Sequence, residues 1–230
     1  MKSFSDFLKK KDVGAIGIGA MIVFIAMVLV AGVAATVLVS TSNTIQNQAM
    51  KTGQQTTREV SSGLTVFQIL GHVNVTNGTY YDMDKLAVVV TAKPGSGEID
   101  LNVTHILISD GSKKALLRYG GYNRSGLWVG SITGALFDSI TDWTNITKET
   151  FGLGVLQDFD GSMTQTNPVL NRGDKAVIFL RCSSNDSGLF GSEISERKDI
   201  SGRVVPEVGA PGIISFTSPK AYSDTIYKLQ

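Results

Sequence analysis

Lys9-Lys10-Lys11-Asp12-Val13-Gly14, followed by residues 15–39 as AIGIGAMIVFIAMVLVAGVAATVLV, is the stretch that decides how this 230-residue chain folds. The run carries no charge over 25 residues. As a helix rising about 1.5 Å per residue it is about 37 Å long, enough to cross the hydrocarbon core of a bilayer. Past Val39 the composition turns to Ser, Thr, Asn and Gln (STSNTIQNQAMKTGQQTTREVSSG). No proline occurs before Pro94, and only Gly17, Gly19 and Gly32 interrupt the pattern before Gly53. Ile45, Ala49, Thr52, Thr56 and Val60 recur at spacings of three and four, as one helical face does. The pattern predicts a single helix over about 15–63, apolar all round in its first half and one-sided in its second. Ordinary globular helices run about 8–20 residues, so this one needs neighbours.

Three readings of the N-terminus are physically open. A secretory signal would be cut after Ala35, in AGVAA at 31–35, although its apolar stretch normally spans only about 7–15 residues. A permanent single-span anchor would keep Lys2, Lys9, Lys10 and Lys11 on the cytoplasmic side. The third is a class III signal, cut before the apolar helix. In residue order, Gly14 followed by AIGIGAMIVFIAMVLVAGVAATVLV resembles the N-terminus of an archaeal flagellin (archaellin). So do Asp158-Phe-Asp160-Gly-Ser162, the run VLNRGDKAVIF over 169–179, and VVPEVGAPGIISFTSP over 204–219. The resemblance covers both ends of the chain better than its centre, about 71–151, where no stretch is placed. The resemblance implies cleavage between Gly14 and Ala15 by a prepilin-type signal peptidase, with the hydrophobic helix retained. Type IV pilins share this logic but usually carry a glutamate at the fifth mature position, where this chain has Gly19.

Composition narrows the function classes. The formal net charge is +1, and loss of residues 1–14 removes four lysines with Asp6 and Asp12, leaving −1. No basic cluster survives to neutralise phosphates, which argues against a nucleic-acid partner. Cys182, the only cysteine, lies in the apolar run AVIFLRC and reads as a buried strand residue. His72 and His105 have no acid or thiol beside them in sequence and read as isolated structural histidines. Nothing resembles a nucleophile elbow, a zinc motif or a P-loop, so the expectation is no enzyme, no metal and no cofactor. Asp158-Phe-Asp160-Gly-Ser162 resembles the start of some calcium loops but lacks an EF-hand's remaining spacing. A turn in which the Asp side chains cap backbone amides explains it equally.

From Leu64 onward the chain breaks into short β-rich runs. Candidate strands are 64–75, 86–92, 99–109, 115–119, 155–157, 176–182, 202–206 and 212–217. Pro94-Gly95, Asp110-Gly111, Asp160-Gly161, Arg172-Gly173 and Pro211-Gly212 serve as turns between them. The expected fold class is α+β: a long N-terminal hydrophobic helix plus a C-terminal antiparallel β-sandwich, immunoglobulin-like. The expected division is a signal over 1–14, a filament-core helix over 15–63 and an outer sandwich over 64–230.

Ala15 and Gly19, Ala31 and Ala35, and Gly32 and Thr36 fall four apart, giving small faces on which helices approach closely. Six Asn-x-Ser/Thr sequons follow, at Asn74, Asn77, Asn102, Asn123, Asn145 and Asn185. They are candidate N-glycosylation sites on a solvent-facing surface. The resemblance adds that archaellins commonly carry N-linked glycan. It also implies a homopolymeric archaellum filament outside the cell, rotated by a separate cytoplasmic motor ATPase at a membrane platform. An adhesive type IV-like pilin and a membrane-anchored surface binding module are the alternatives.

Overall fold

A computed structural model describes residues 3–121, 126–182 and 188–230, with side chains from residue 16 onward. Helix α1 spans Ser3–Ser61, about 88 Å at 1.5 Å per residue. It begins earlier than the expected residue 15, because nothing between Ser3 and Gly14 breaks a helix. The chain divides into two compact units, Met1–Gln55 and Thr56–Gln230. The second takes in the last residues of α1. Within the first unit every residue from 16 onward is exposed.

The second unit is β-rich. Its strands are β1 (Leu64–Thr76), β2 (Thr79–Ala92), β3 (Ile99–Asp100), β4 (His105–Ser109), β5 (Lys114–Tyr119) and β6 (Trp128–Val129). There follow β7 (Thr150–Gln157), β8 (Val169–Leu170), β9 (Lys175–Arg181), β10 (Asp199–Val205), β11 (Gly212–Thr217) and β12 (Ile226–Lys228). Hydrogen bonds join them in the order β11-β10-β4-β5-β7-β9-β2-β1-β12, with β6 beside β7 and β3 paired with β8. All pairings are antiparallel except β5 with β7 and β6 with β7. The short parallel step at β5 and β7, Arg118 opposite Thr150 and Tyr119 opposite Phe151, connects two arms that fold face to face. Ile106, Ile108, Leu117, Val204 and Ile214 from one arm share a core with Leu64, Ile69, Leu86, Val88 and Ile178 from the other. This is the two-layer sandwich expected from the short β-rich runs and their turns.

Burial explains the strand patterns. β11 alternates buried and exposed along its length, as a half-buried strand must. In β2 and β9 the runs 86–90 and 176–180 are buried at every position. Their second face is covered by the chain between β5 and β7, where Leu127, Phe137, Ile140 and Ile146 pack on Ala87, Val89, Val177 and Phe179. Strands covered on both sides read as continuous apolar runs. Trp143 pins the cover: its ring meets Phe179 edge-on at 5.7 Å and its Nε1 donates to the Phe137 carbonyl at 3.1 Å.

Several strand bounds differ from expectation: β7 and β10 begin at Thr150 and Asp199, ahead of residues 155 and 202. β2 starts at Thr79, earlier than residue 86, because Asn77 (φ 54°) and Gly78 (φ 76°) form a tight turn that zips it directly onto β1. Positive φ at both central residues is the type I′ geometry that matches strand twist. The run 99–109 breaks into β3 and β4, since Asp100 turns the chain by accepting from the Asn102 amide at 2.7 Å and, through its carbonyl, from Thr104 Oγ1 at 3.0 Å. The short strands β6, β8 and β12 carry too few residues for an alternating pattern to show.

Candidate functional site

Helix α1 presents the largest surface with a job to do. Its exposed side chains include Ile16, Ile22, Phe24, Leu29, Val33 and Leu38, and an 18-residue window reaches a mean hydropathy of 2.9. Fifteen Ile, Val, Leu, Met and Phe residues lie between Ile16 and Val39, together worth roughly 20–45 kcal/mol if fully withdrawn from water. Around Gly17, Gly19 and Gly32 nothing but the adjoining backbone of the helix itself lies within 4 Å of where a Cβ would stand. Ala31 and Ala35 are exposed. These positions leave room for the backbone of an adjacent helix. Gly14 and Ala15 are helical within α1, while their side chains lie outside the described set. Polar groups further along turn inward on the helix itself: Thr36, Thr41 and Thr44 donate their hydroxyls to the carbonyls of Val33, Val37 and Ser40 at 2.8–2.9 Å. A hydroxyl bonded in this way can enter a dry contact without an unmet donor.

Where the chain leaves the helix, Ser62-Gly63 is clamped from two sides. The Ser62 carbonyl accepts from the Ala210 amide at 2.9 Å, and the Ala210 carbonyl accepts from Leu64 N at 3.0 Å. On the other flank, Gly63 N donates to Ser96 Oγ at 3.0 Å and the Gly63 carbonyl accepts from Lys93 N at 2.9 Å. Gly209, at φ +99°, passes so close that a Cβ there would stand 2.2 Å from the Ser62 carbonyl oxygen. The segment VPEVGAPG over 205–212 thus buttresses the residues that join α1 to β1.

The sequons divide by exposure. Asn74, Asn77 and Asn102 are exposed, the first two at the β1–β2 hairpin. Asn145 is half-buried and its amide donates to Asp142 Oδ2 at 3.0 Å, so its attachment nitrogen is already engaged. Asn123 and Asn185 lie outside the described residues.

Asp158 and Asp160 cap their own turn, as one of the two readings required. Asp158 accepts from Gly161 N at 2.8 Å and Met163 N at 3.2 Å, and Asp160 accepts from Ser162 N at 3.0 Å. Hydrogen bonds from Ser162 and Asn171 hold the Asp160 carboxyl below its ordinary range. The structure adds Asp174, wholly buried, whose carboxylate accepts from Phe159 N and Asn171 N at 3.1 Å each. One oxygen from each of the three carboxylates lies within 4.8 Å of the others, a set of hard donors of the kind that holds Ca²⁺. Sequence spacing missed Asp174 because it reaches the turn from the far side of the β8–β9 connection.

His72 is not isolated, which corrects the reading from sequence. Its Nδ1 lies 2.6 Å from Asp84 Oδ1 on the neighbouring strand β2, and its ring packs 5.2 Å from Phe137. Twelve residues of hairpin separate the pair in sequence, so no local pattern could show it. His105 is exposed on β4. Cys182 is fully buried, and burial, with Asp84 and Glu193 adding to it, pushes its thiol well above the ordinary range. Such a thiol is inert.

A sequence model described as archaeal-type flagellin matches residues 14–216. Flagellin B2 of Methanocaldococcus jannaschii is 44% identical over 227 residues, covering 98% of this chain and 97% of its own length. Flagellin B3 of Thermococcus kodakarensis is 39% identical over 258 residues, covering 97% and 99%. Among solved structures, the crystal structure of archaeal flagellin FlaB1 from Methanocaldococcus jannaschii superposes with a TM-score of 0.60 at 32% identity, covering 74% of this chain and 97% of that one. The archaeal flagellum of Methanospirillum hungatei shares the fold at 16% identity, with a TM-score of 0.58 over 93% and 98%.

Proposed function

Because this chain belongs to the archaeal-type flagellin family, we propose that it is a structural subunit of the archaeal flagellar filament, polymerising through α1 into a rotated propeller for swimming. The single observation that carries this is an apolar helix exposed at every residue from 16 onward. A free soluble monomer would hold all of that surface in water. A membrane accepts it before assembly, and a bundle of identical helices accepts it afterwards.

Processing fits the same scheme. Cleavage between Gly14 and Ala15 by a prepilin-type signal peptidase would remove Lys2, Lys9, Lys10 and Lys11, which cannot enter a dry core unpaired without heavy cost. The mature subunit then comprises a filament-core helix over 15–63 and an outer sandwich over 64–230. Small faces at Ala15, Gly19, Ala31 and Ala35 let helices close on one another, and a contact whose rotation does not close extends as a helical array. The outer domains face the medium and carry N-linked glycan on Asn74, Asn77 and Asn102. The role is mechanical and not catalytic, with torque supplied by a separate motor at its membrane platform.

Intact-mass and N-terminal peptide analysis of filaments sheared from cells tests this reading. A chain starting at Ala15 with added mass on sequon peptides is expected. A chain starting near Thr36, or one recovered only from membranes with Met1 intact, overturns it.

A further inference from the structure

The outward face of the arm formed by β11, β10, β4 and β5 carries a row left open by the other described residues of the β-rich unit. Ile213, Arg203, Leu107 and Leu116 stand directly opposite one another across the four strands. Ile213, Leu107 and Leu116 are 67%, 38% and 57% exposed. One flanking row is Ser215, Ser201, Ser109 and Lys114, and the other includes Val205, His105 and Arg118. The three rows hold Arg203, Lys114 and Arg118 and no carboxylate. A depression of about 470 Å³ opens in this face, lined by Leu107, Lys114, Arg203, Pro211 and Ile213 among others. None of the described sequons lies in these rows.

The complement is present on the other arm. Phe159, between Asp158 and Asp160 in the turn after β7, is 86% exposed, the highest value of any large apolar side chain among the described residues. Its ring therefore does not touch the row in its own chain. Nor is the turn loose: Phe159 N is bonded to the buried Asp174, and Asp158 holds the amides of Gly161 and Met163. An aromatic knob flanked by carboxylates is thus held outward in a fixed position, which lowers the ordering cost of docking it. An apolar row with a guanidinium at its centre and two further cations beside it suits that knob: the ring packs on the aliphatic side chains, the guanidinium meets its face, and the net negative charge of the turn faces a patch of net positive charge.

We propose that, in the polymer, the Asp158-Phe159-Asp160 turn of one subunit docks into the Ile213–Arg203–Leu107–Leu116 row of a second copy of this chain. Two different patches of one chain meet in such a contact, as an open helical array requires. The inference rests on the filament reading above and adds to it a lateral contact between outer domains, outside the helical core.

Chemical crosslinking tests it. Phe159→Cys and Leu107→Cys are introduced together, Cys182 being wholly buried, and assembled filaments are treated with a short bismaleimide. A ladder of covalent dimers, trimers and larger species is expected on denaturing gels, with each single variant remaining monomeric. Intact filaments that yield only monomer overturn the docking while leaving polymerisation through α1 standing. If the double variant forms no filaments, the two single variants are co-assembled as minority subunits in wild-type filaments. A crosslinked dimer is then expected, and its absence from those filaments overturns the contact. A wild-type chain that yields no filaments in electron micrographs removes the polymer reading, and the docking falls with it.

Discussion

Asp174 shows how one buried carboxylate can organise a turn from a distance. With Phe159 N and Asn171 N both bonded to it, Asp174→Ala leaves two partly buried amide donors without their acceptor. The expected loss is about 1–3 kcal/mol, read as a lowered midpoint in thermal unfolding of the detergent-solubilised chain. Glu193 behaves in the opposite sense. Desolvation, with Asp84 and Asp82 adding to it, holds its carboxyl above the ordinary value. The folded state then takes up a proton more readily than the unfolded one, so stability is lost as pH rises through the folded pKa. Glu193→Gln should therefore unfold at a higher temperature than wild type at pH 7 and converge with it below about pH 4. Two of the three aspartates in the turn were legible in Asp158-Phe-Asp160-Gly-Ser162. The third was not, because Asp174 belongs to a different connection and meets them only once β9 lies beside β7.

At the scale of elements, hydrophobic pattern and turn chemistry did most of the specification, with one signal overlooked. Asn77-Gly78 reads both as part of a sequon and as a hairpin turn, and the turn decides where β2 begins. Gly78 sits at φ +76° with open space around its Cβ position, so the cost of a side chain there is conformational and not steric. Gly78→Ala should destabilise the outer domain by about 1–2 kcal/mol in the same unfolding measurement. The strands over 86–90 and 176–180 were recognisable from unbroken apolar runs. What covers their second face was not, because the chain around Phe137 and Trp143 has no periodicity of its own and is ordered by the sheet it lies on.

For the whole molecule, the step to test is the proposed cleavage between Gly14 and Ala15. An uncut Gly14→Val precursor keeps its lysines ahead of the apolar helix, so it should accumulate in the membrane and give no sheared filaments by electron microscopy. Normal assembly of that variant would show that the lysine segment does not block polymerisation. The need for neighbours was already written into residues 15–39, since a run of 25 uncharged residues has no polar side to turn toward water in any context. The sandwich class, too, follows from short β-rich runs and their turns. Local order could not show that His72 meets Asp84, that Asp174 anchors Phe159, or that Ile213, Arg203, Leu107 and Leu116 form one row. Each of these depends on how separate strands and connections are brought together, and strand register is chosen by burial of the common core, not by the residues that end up side by side on the surface.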